Sequence, residues 1–136
     1  MRICIIVAME NEYELVQSQL LGGSASGHQI TLHRCGIGKV NAASRLTEAI
    51  LTEHPALVIS TGVAGSLDKS VHTGTFVVAQ TIKYHDVWCG EDGIIGEVQG
   101  LDKPYSAPQE LVRKAEAFFN VENLTDPERC ARYYGP

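Results

Sequence analysis

The chain has 136 residues, of which 44% are hydrophobic and 20% are charged, and its formal net charge is −5. This length suits a single domain with a buried core, and the composition is that of an ordinary globular protein. The eleven basic residues are scattered along the chain, which argues against nucleic acid or an anionic membrane surface as the main partner.

The N-terminal segment predicts a buried β-strand at residues 2–7. Its apolar run reaches Glu10 and Glu12 too soon for a secretory signal, and a membrane span needs about 20 apolar residues. We therefore expect a cytoplasmic protein. The cysteines at positions 4, 35, 89 and 130 form no C-x-x-C pair. Reduced thiols are thus expected rather than a metal or redox site.

The first helix is predicted to follow this strand directly. Apolar residues recur at helical spacing over residues 13–21, and Gly22 and Gly23 end the pattern. Glu10 and Glu12 fall in the first turn, where the helix dipole favours negative charge, so both could be structural. A helix start after a parallel strand also faces the ligand crevice. We therefore expect one of the two carboxylates to point into a pocket.

The next segment predicts a second strand and a second helix. Residues 29–34 alternate polar and apolar side chains, as half-buried strands do. Residues 35–41 form a glycine loop that opens a helix ending before Pro55. Backbone amides at such a start can hold a phosphate or a hydroxyl. The spacing of a P-loop is absent, however, and Lys39 is interpreted as a solvated side chain.

The stretch LVISTGVAGSL at residues 57–67 is central to the predicted fold. Its short β-branched run is typical of a strand that is buried on both faces. Gly62 and Gly65 then allow a sharp turn and a close approach of a ligand to the main chain. Ligands of open α/β sheets bind at the carboxyl ends of the strands. A pocket is therefore expected here, the alternative being a tight turn that only leaves a core strand.

The remaining sequence predicts a strand at residues 75–84, a long irregular segment at residues 84–101, and a last helix at residues 109–119. Long irregular segments in compact domains tend to be functional or to lie at interfaces. Adjacent residues on a strand point to opposite faces, so His85 and Asp86 are not expected to form an acid/base pair.

Four sequence blocks, taken in order, resemble the 5′-methylthioadenosine/S-adenosylhomocysteine nucleosidases, which belong to the nucleoside phosphorylase superfamily. They are ICIIVAMENE at residues 3–12, CGIGKVNAA at 35–43, STGVAG at 60–65 and YHD at 84–86. The resemblance implies an α/β fold of the three-layer nucleoside phosphorylase/hydrolase type, with a mixed sheet flanked by helices and truncated at its C-terminus. Residues 1–119 would be the N-terminal part of a single domain, and residues 120–136 an atypical, disordered tail.

The same resemblance implies a homodimeric enzyme of methionine salvage that hydrolyses the glycosidic bond of adenine thionucleosides without a cofactor. By position, Glu12 matches the carboxylate that activates the attacking water. Met9 matches a residue lining the ribose, and Ile37 matches one beside the alkylthio tail. The full set of substrate-binding positions is Ala8, Met9, Ile37, Val63, Ala64 and Gly65. Val63 stands where some members of the family have a serine.

Two alternatives remain, a phosphorylase relative and a non-catalytic dimerising module. Phosphorylases of the superfamily hold phosphate with arginines, one matching Ser60 and another near Asn11, and both positions are uncharged here. A dianionic co-substrate without a guanidinium clamp would be poorly bound, which favours water as the nucleophile.

The family's catalytic acid, its ribose-binding glutamate and its base-stacking aromatic residue lie in the C-terminal part. Nothing after Gly100 resembles those blocks. Loss of one general acid slows a reaction by about 10²–10⁴-fold. We therefore expect this chain by itself to be essentially inactive.

Overall fold

The structure of the chain is a computed structural model, and the chain divides into two compact units, Met1–Gly65 and Ser66–Pro136. The residues that the structure describes are 1–22, 27–91, 93–100 and 105–119. The predicted tail at residues 120–136 and the predicted helix stop at Gly23 lie outside them. The single domain over residues 1–119 stays a prediction.

A three-stranded parallel sheet forms the centre of the first unit, with the strand order β2-β1-β3. The strands are β1 at Arg2–Val7, β2 at Gln29–Arg34 and β3 at Leu57–Ser60. In this register Cys4 lies opposite Thr31 on one side and Val58 on the other. The strands predicted at residues 2–7 and 29–34 are confirmed, and β3 lies in the predicted apolar run.

Two helices alternate with these strands, α1 at Glu10–Gly22 and α2 at Lys39–Glu53. Cys4 and Ile6 of β1 pack against Ala49 of α2 in the core of this unit. Side chains alternate along a strand, so the odd-numbered residues of β1 face the other side of the sheet. Within the described residues, no helix has the length and apolarity that a membrane crossing requires.

Strand β3 is more exposed than its composition predicts. Its burial on both faces was expected, but Ile59 is 39% exposed and Ser60 is also exposed. The physical reason is its position, because in the described part of the chain β3 pairs only with β1 and forms an edge of the sheet. The prediction of a fully buried strand was wrong.

The second unit contains a small antiparallel pair and one helix. Strands β4 at Thr81–Ile82 and β5 at Tyr105–Ser106 pair with each other, and α3 spans Gln109–Phe119 as predicted. The strand predicted at residues 75–84 was wrong over most of its length. Among the described residues, β4 pairs only with β5, which is two residues long. The apolar residues of the predicted strand that lie before Thr81 therefore form no ladder.

The segment after β4 is an irregular loop, as predicted, and it is closed by backbone hydrogen bonds. The amide of Tyr84 donates to the carbonyl of Gly96 at 3.1 Å, and the amide of Gly96 donates to the carbonyl of Val87 at 2.8 Å. His85 and Asp86 lie in a bend rather than on a strand. The prediction that they point to opposite faces was therefore wrong, and Nδ1 of His85 lies 3.8 Å from Oδ1 of Asp86.

Candidate active site

The carboxyl ends of the three parallel strands lie at one edge of the first unit's sheet, which we call the carboxyl edge. A loop follows each strand there: residues 8–9 after β1, residues 35–38 after β2 and residues 61–65 after β3. The amide of Cys35 donates to the carbonyl of Val7 at 2.8 Å, which fixes the second loop to the end of β1. All substrate-binding positions expected from the sequence lie in these three loops.

Glu12, in the first turn of α1, connects two of these loops through its carboxylate. Oε2 accepts hydrogen bonds from the amides of Ala8 and Met9 at 3.0 and 2.9 Å, and Oε1 accepts one from the amide of Val63 at 2.9 Å. Glu12 is only 8% exposed. The structure thus brings together four of the residues predicted for the site.

The environment of Glu12 favours its ionised form. The hydrogen bond from the Val63 amide, followed by that from Met9, lowers the pKa of Glu12, while burial raises it and the Ala8 amide lowers it further. The positive end of the helix dipole acts in the same direction. At neutral pH the group is therefore a carboxylate. Because each oxygen has two acceptor sites, it can also accept a hydrogen bond from a water molecule.

The two acidic residues of the first turn have different surroundings. The side chain of Glu10 is 56% exposed and forms an ion pair with Arg34 at the end of β2. Glu12 turns inward, and its amide donates to Oδ1 of Asn11 at 2.9 Å. Of the two carboxylates, Glu12 is therefore the one at the carboxyl edge, and the expectation that it points into a pocket stays a prediction.

Gly62 allows a close approach, but the group that approaches it is Glu12. A Cβ atom on Gly62 would lie 2.5 Å from Oε1 and 2.9 Å from Cδ of Glu12, so a side chain there would have to displace the carboxylate. A Cβ atom on Gly65 would meet nothing within 4 Å. Sequence reasoning expected a ligand to use the space at these glycines. At Gly62 the chain's own carboxylate occupies it.

The loops after β2 and β3 carry residues that are open to solvent. Val63 is 78% exposed and Ile37 is 73% exposed, and Ala64 and Gly65 are exposed as well. The loop after β3 therefore presents an apolar side chain and free backbone beside a buried charge.

Asn41 is a structural residue of the site that the sequence reasoning missed. Its Nδ2 donates to the carbonyl of Ile37 at 2.8 Å, and its side chain lies 3.4 Å from the Cβ position of Gly36. This contact holds the glycine loop against the first turn of α2. An asparagine in the first turn after a glycine loop was the available signal, since such side chains bond to nearby backbone.

Comparison with known proteins agrees with this architecture. The model of the phosphorylase superfamily matches residues 2–132, so the chain belongs to that superfamily. A 5′-methylthioadenosine/S-adenosylhomocysteine nucleosidase of Staphylococcus haemolyticus is 32% identical over 114 residues, covering 83% of this chain and 50% of that protein. The nucleosidase of the same name from Lysinibacillus sphaericus is 33% identical over 130 residues, covering 85% and 56%. The chain thus spans about half the length of these curated relatives.

Solved structures show the same fold. The nucleosidase of Colwellia psychrerythraea in complex with adenine superposes with a TM-score of 0.78 at 28% identity, over 88% of this chain and 55% of that one. The nucleosidase of Neisseria meningitidis in complex with methylthio-immucillin-A gives a TM-score of 0.75 at 29% identity, over 88% and 60%. The α/β fold expected from the sequence is confirmed.

Proposed function

We propose that the carboxyl edge serves the hydrolysis of the N-glycosidic bond of 5′-methylthioadenosine or S-adenosylhomocysteine, giving adenine and a thioribose product. The observation that carries this proposal is the carboxylate of Glu12, which is ionised, 8% exposed and hydrogen-bonded to both flanking loops. The names of the Staphylococcus haemolyticus and Lysinibacillus sphaericus relatives support the reaction.

Glu12 is proposed as the general base that accepts a proton from the attacking water. A positioned base contributes about 10²–10⁴-fold to a rate. The low pKa of Glu12 makes it a weak base while three amides bind it. We therefore infer that the amide of Val63 gives up or shares Oε1 when water and substrate bind.

We assign the remaining substrate-binding positions to parts of the substrate, loop by loop. Ala8 and Met9, which are half-buried beside Glu12, are proposed to line the ribose. The exposed side chain of Ile37 would contact the apolar alkylthio group. The turn at residues 63–65 would form a wall of the base and ribose site.

Water is preferred over phosphate as the nucleophile because the described carboxyl edge offers no free guanidinium. Asn11 and Ser60 are uncharged, and the arginine at the end of β2, Arg34, is paired with Glu10. A phosphate dianion is usually held by bidentate arginine contacts. The absence of such a clamp among these residues therefore favours water over phosphate as the nucleophile.

We further propose a cytoplasmic homodimer that acts in methionine salvage, with no cofactor and with neither nucleic acid nor membrane as a partner. The exposed edge strand β3 and the 66% exposure of Trp88 support association, since unpaired edges and large apolar side chains favour it. Light scattering of the purified chain should give at least a dimer, and a clean monomer would contradict this.

A chimera tests the proposed reaction. Residues 1–100 of this chain are joined to the C-terminal remainder of the Lysinibacillus sphaericus nucleosidase, and adenine release from 5′-methylthioadenosine is measured with and without phosphate. We expect equal rates in both buffers and a free thioribose product. Release that requires phosphate would favour the phosphorylase alternative. A folded chimera that releases no adenine would contradict the proposal.

A further inference from the structure

A second group of reactive side chains lies in the first unit, on the sheet face covered by α2. Cys4 of β1, His33 of β2 and Glu53 at the end of α2 each place one possible metal-ligating atom within 4.8 Å of the other two. In the described ranges this is the one group of three such residues. Its members come from three different elements, so no short spacing motif in the sequence reveals it.

The imidazole of His33 is the centre of this group. Nη2 of Arg45 lies 2.9 Å from its Nδ1, and because a guanidinium only donates, Nδ1 is the acceptor and Nε2 carries the proton. Nε2 lies 2.7 Å from Oε1 of Glu53. The two atoms are close enough for an ion pair, and the contact with His33 contributes to the lowered pKa of Glu53, so an imidazole nitrogen and a carboxylate oxygen already face each other here.

The charges of the group also match a cation. Burial raises the pKa of the Cys4 thiol, and the negative charge of Glu53 raises it further. The hydroxyl of Thr31 donates to Oε2 of Glu53 at 2.6 Å and lowers the pKa of that carboxyl. The group thus consists of a neutral thiol and an ionised carboxylate. A divalent cation would balance that carboxylate and a thiolate charge for charge.

Thiolate sulfur, imidazole nitrogen and carboxylate oxygen are the ligands that Zn²⁺ takes in proteins. Cys4 is fully buried, while the side chains of His33 and Glu53 are 12% and 26% exposed. An ion can therefore enter beside Glu53, at the end of α2. Three protein ligands leave a fourth position for water.

We propose that Cys4, His33 and Glu53 bind a zinc-class divalent cation at a site separate from the carboxyl edge. On binding, the thiol of Cys4 releases its proton to solvent and sulfur bonds to the ion. The proton on Nε2 of His33 is replaced by the ion, and Nδ1 takes up a proton in turn. Arg45 then turns away from His33 and keeps its second partner, Glu48, whose Oε2 lies 2.5 Å from Nη1. This site departs from the expectation of no metal use.

The site is tested by titrating the full 136-residue chain with Co²⁺, which reports thiolate ligation through a near-ultraviolet charge-transfer absorption. We expect saturation at one ion per chain and displacement of the cobalt by Zn²⁺. Cys4→Ala should abolish the absorption. Cys89→Ala is the matched control, because Cys89 is an exposed free thiol, and it should leave the absorption unchanged.

A second variant keeps the test decisive if Cys4→Ala fails to fold. Glu53→Gln removes a partly exposed ligand, and competition with a chelator should show at least about tenfold weaker Zn²⁺ binding, with the circular dichroism spectrum retained. An absent absorption in the unmodified chain, an absorption that survives Cys4→Ala, or an unchanged affinity in Glu53→Gln would overturn the proposal. None of these results depends on the proposed hydrolysis.

Discussion

The carboxylate of Glu12 stabilises the arrangement in which it is proposed to react. It joins the loop after β1 to the turn after β3, two segments separated by most of the first unit's sequence. Three amide donors hold it in place before any substrate binds. Such preorganisation fixes the geometry of a base, while the same hydrogen bonds make that base weaker.

Glu12→Gln should destabilise the fold at neutral pH. The side-chain amide of glutamine would place an N–H group against the backbone amide of Val63 or against those of Ala8 and Met9. Loss of hydrogen bonds to a charged group costs about 1.5–3 kcal/mol. Urea denaturation at neutral pH should show a loss of this size in the free energy of unfolding.

The pH dependence of that loss has a definite sign. The pKa of Glu12 is lower in the folded chain than in the unfolded one, where a glutamate titrates at about 4.3. Its stabilising contribution is therefore complete above that pH and disappears as the pH falls through the folded-state value. The difference between the unmodified chain and Glu12→Gln should shrink in acid, and a difference that grows in acid would contradict the account.

Gly62→Ala should displace Glu12, because the new Cβ atom would lie 2.5 Å from Oε1, and it should also strain the backbone, because Gly62 has a φ of 157°. Overpacking of this kind costs about 1–3 kcal/mol, measurable by urea denaturation. Gly65→Ala is the matched control, since its Cβ atom meets nothing within 4 Å. It should leave the stability within about 1 kcal/mol of the unmodified chain. Equal losses in the two variants would show that the contact with Glu12 is not the cause.

Helix α2 is attached to the sheet by a polar contact with β2 as well as by the packing of its apolar face against β1. The hydroxyl of Thr31 on β2 donates to Glu53 in the last turn of α2, at 2.6 Å. Ala49 of the same helix packs against β1. The hydrogen bond therefore fixes the end of a helix whose middle is held by the core.

Thr31→Val should loosen this attachment while keeping the shape of the side chain. Because Glu53 is partly exposed to water, we expect a loss of about 1.5 kcal/mol, the lower end for a hydrogen bond to a charged group. Thr52→Val on the exposed side of α2 is the control and should change stability by less than about 0.5 kcal/mol. Thermal denaturation measures both. A loss in Thr52→Val as large as that in Thr31→Val would contradict the proposed attachment.

Elements whose signals are local could be predicted from the sequence. β1, β2 and α3 follow from apolar periodicity that ends at charged residues or begins after proline. The strand predicted at residues 75–84 has the composition of a strand, but strands also need a partner. In the described residues this segment forms a ladder only with β5. The length of a partner strand cannot be predicted from a local sequence pattern.

The sequence likewise predicted only part of the candidate site. Placement after a parallel strand left Glu10 and Glu12 as alternatives, the family resemblance selected Glu12, and the hydrogen bonds of the fold place the Glu12 carboxylate at the carboxyl edge. The sequence also marked Gly62 as a point of close approach, and on its Cβ side the approaching group is the carboxylate of Glu12. The contact of Cys4 with residues of β2 and α2 depends on register and helix docking, which spacing along the chain does not encode.

At the scale of the whole molecule, the chain spans 50% and 56% of the first two curated relatives. A polypeptide of these 136 residues therefore contains the proposed base but no block resembling the family's C-terminal acid. We expect its adenine release from 5′-methylthioadenosine to be slower than that of the chimera by at least about 10²–10⁴-fold. A rate comparable to that of the chimera would show that the 136-residue chain is sufficient for adenine release.

The most direct test compares two carboxylates in the same helical turn of the chimera. Glu12→Gln should lower the rate of adenine release by about 10²–10⁴-fold. Glu10→Gln, which alters an exposed residue paired with Arg34, should leave the rate within a few-fold of the unmodified chimera. If the two substitutions have equal effects, or if only Glu10→Gln slows the reaction, then Glu12 is not the base.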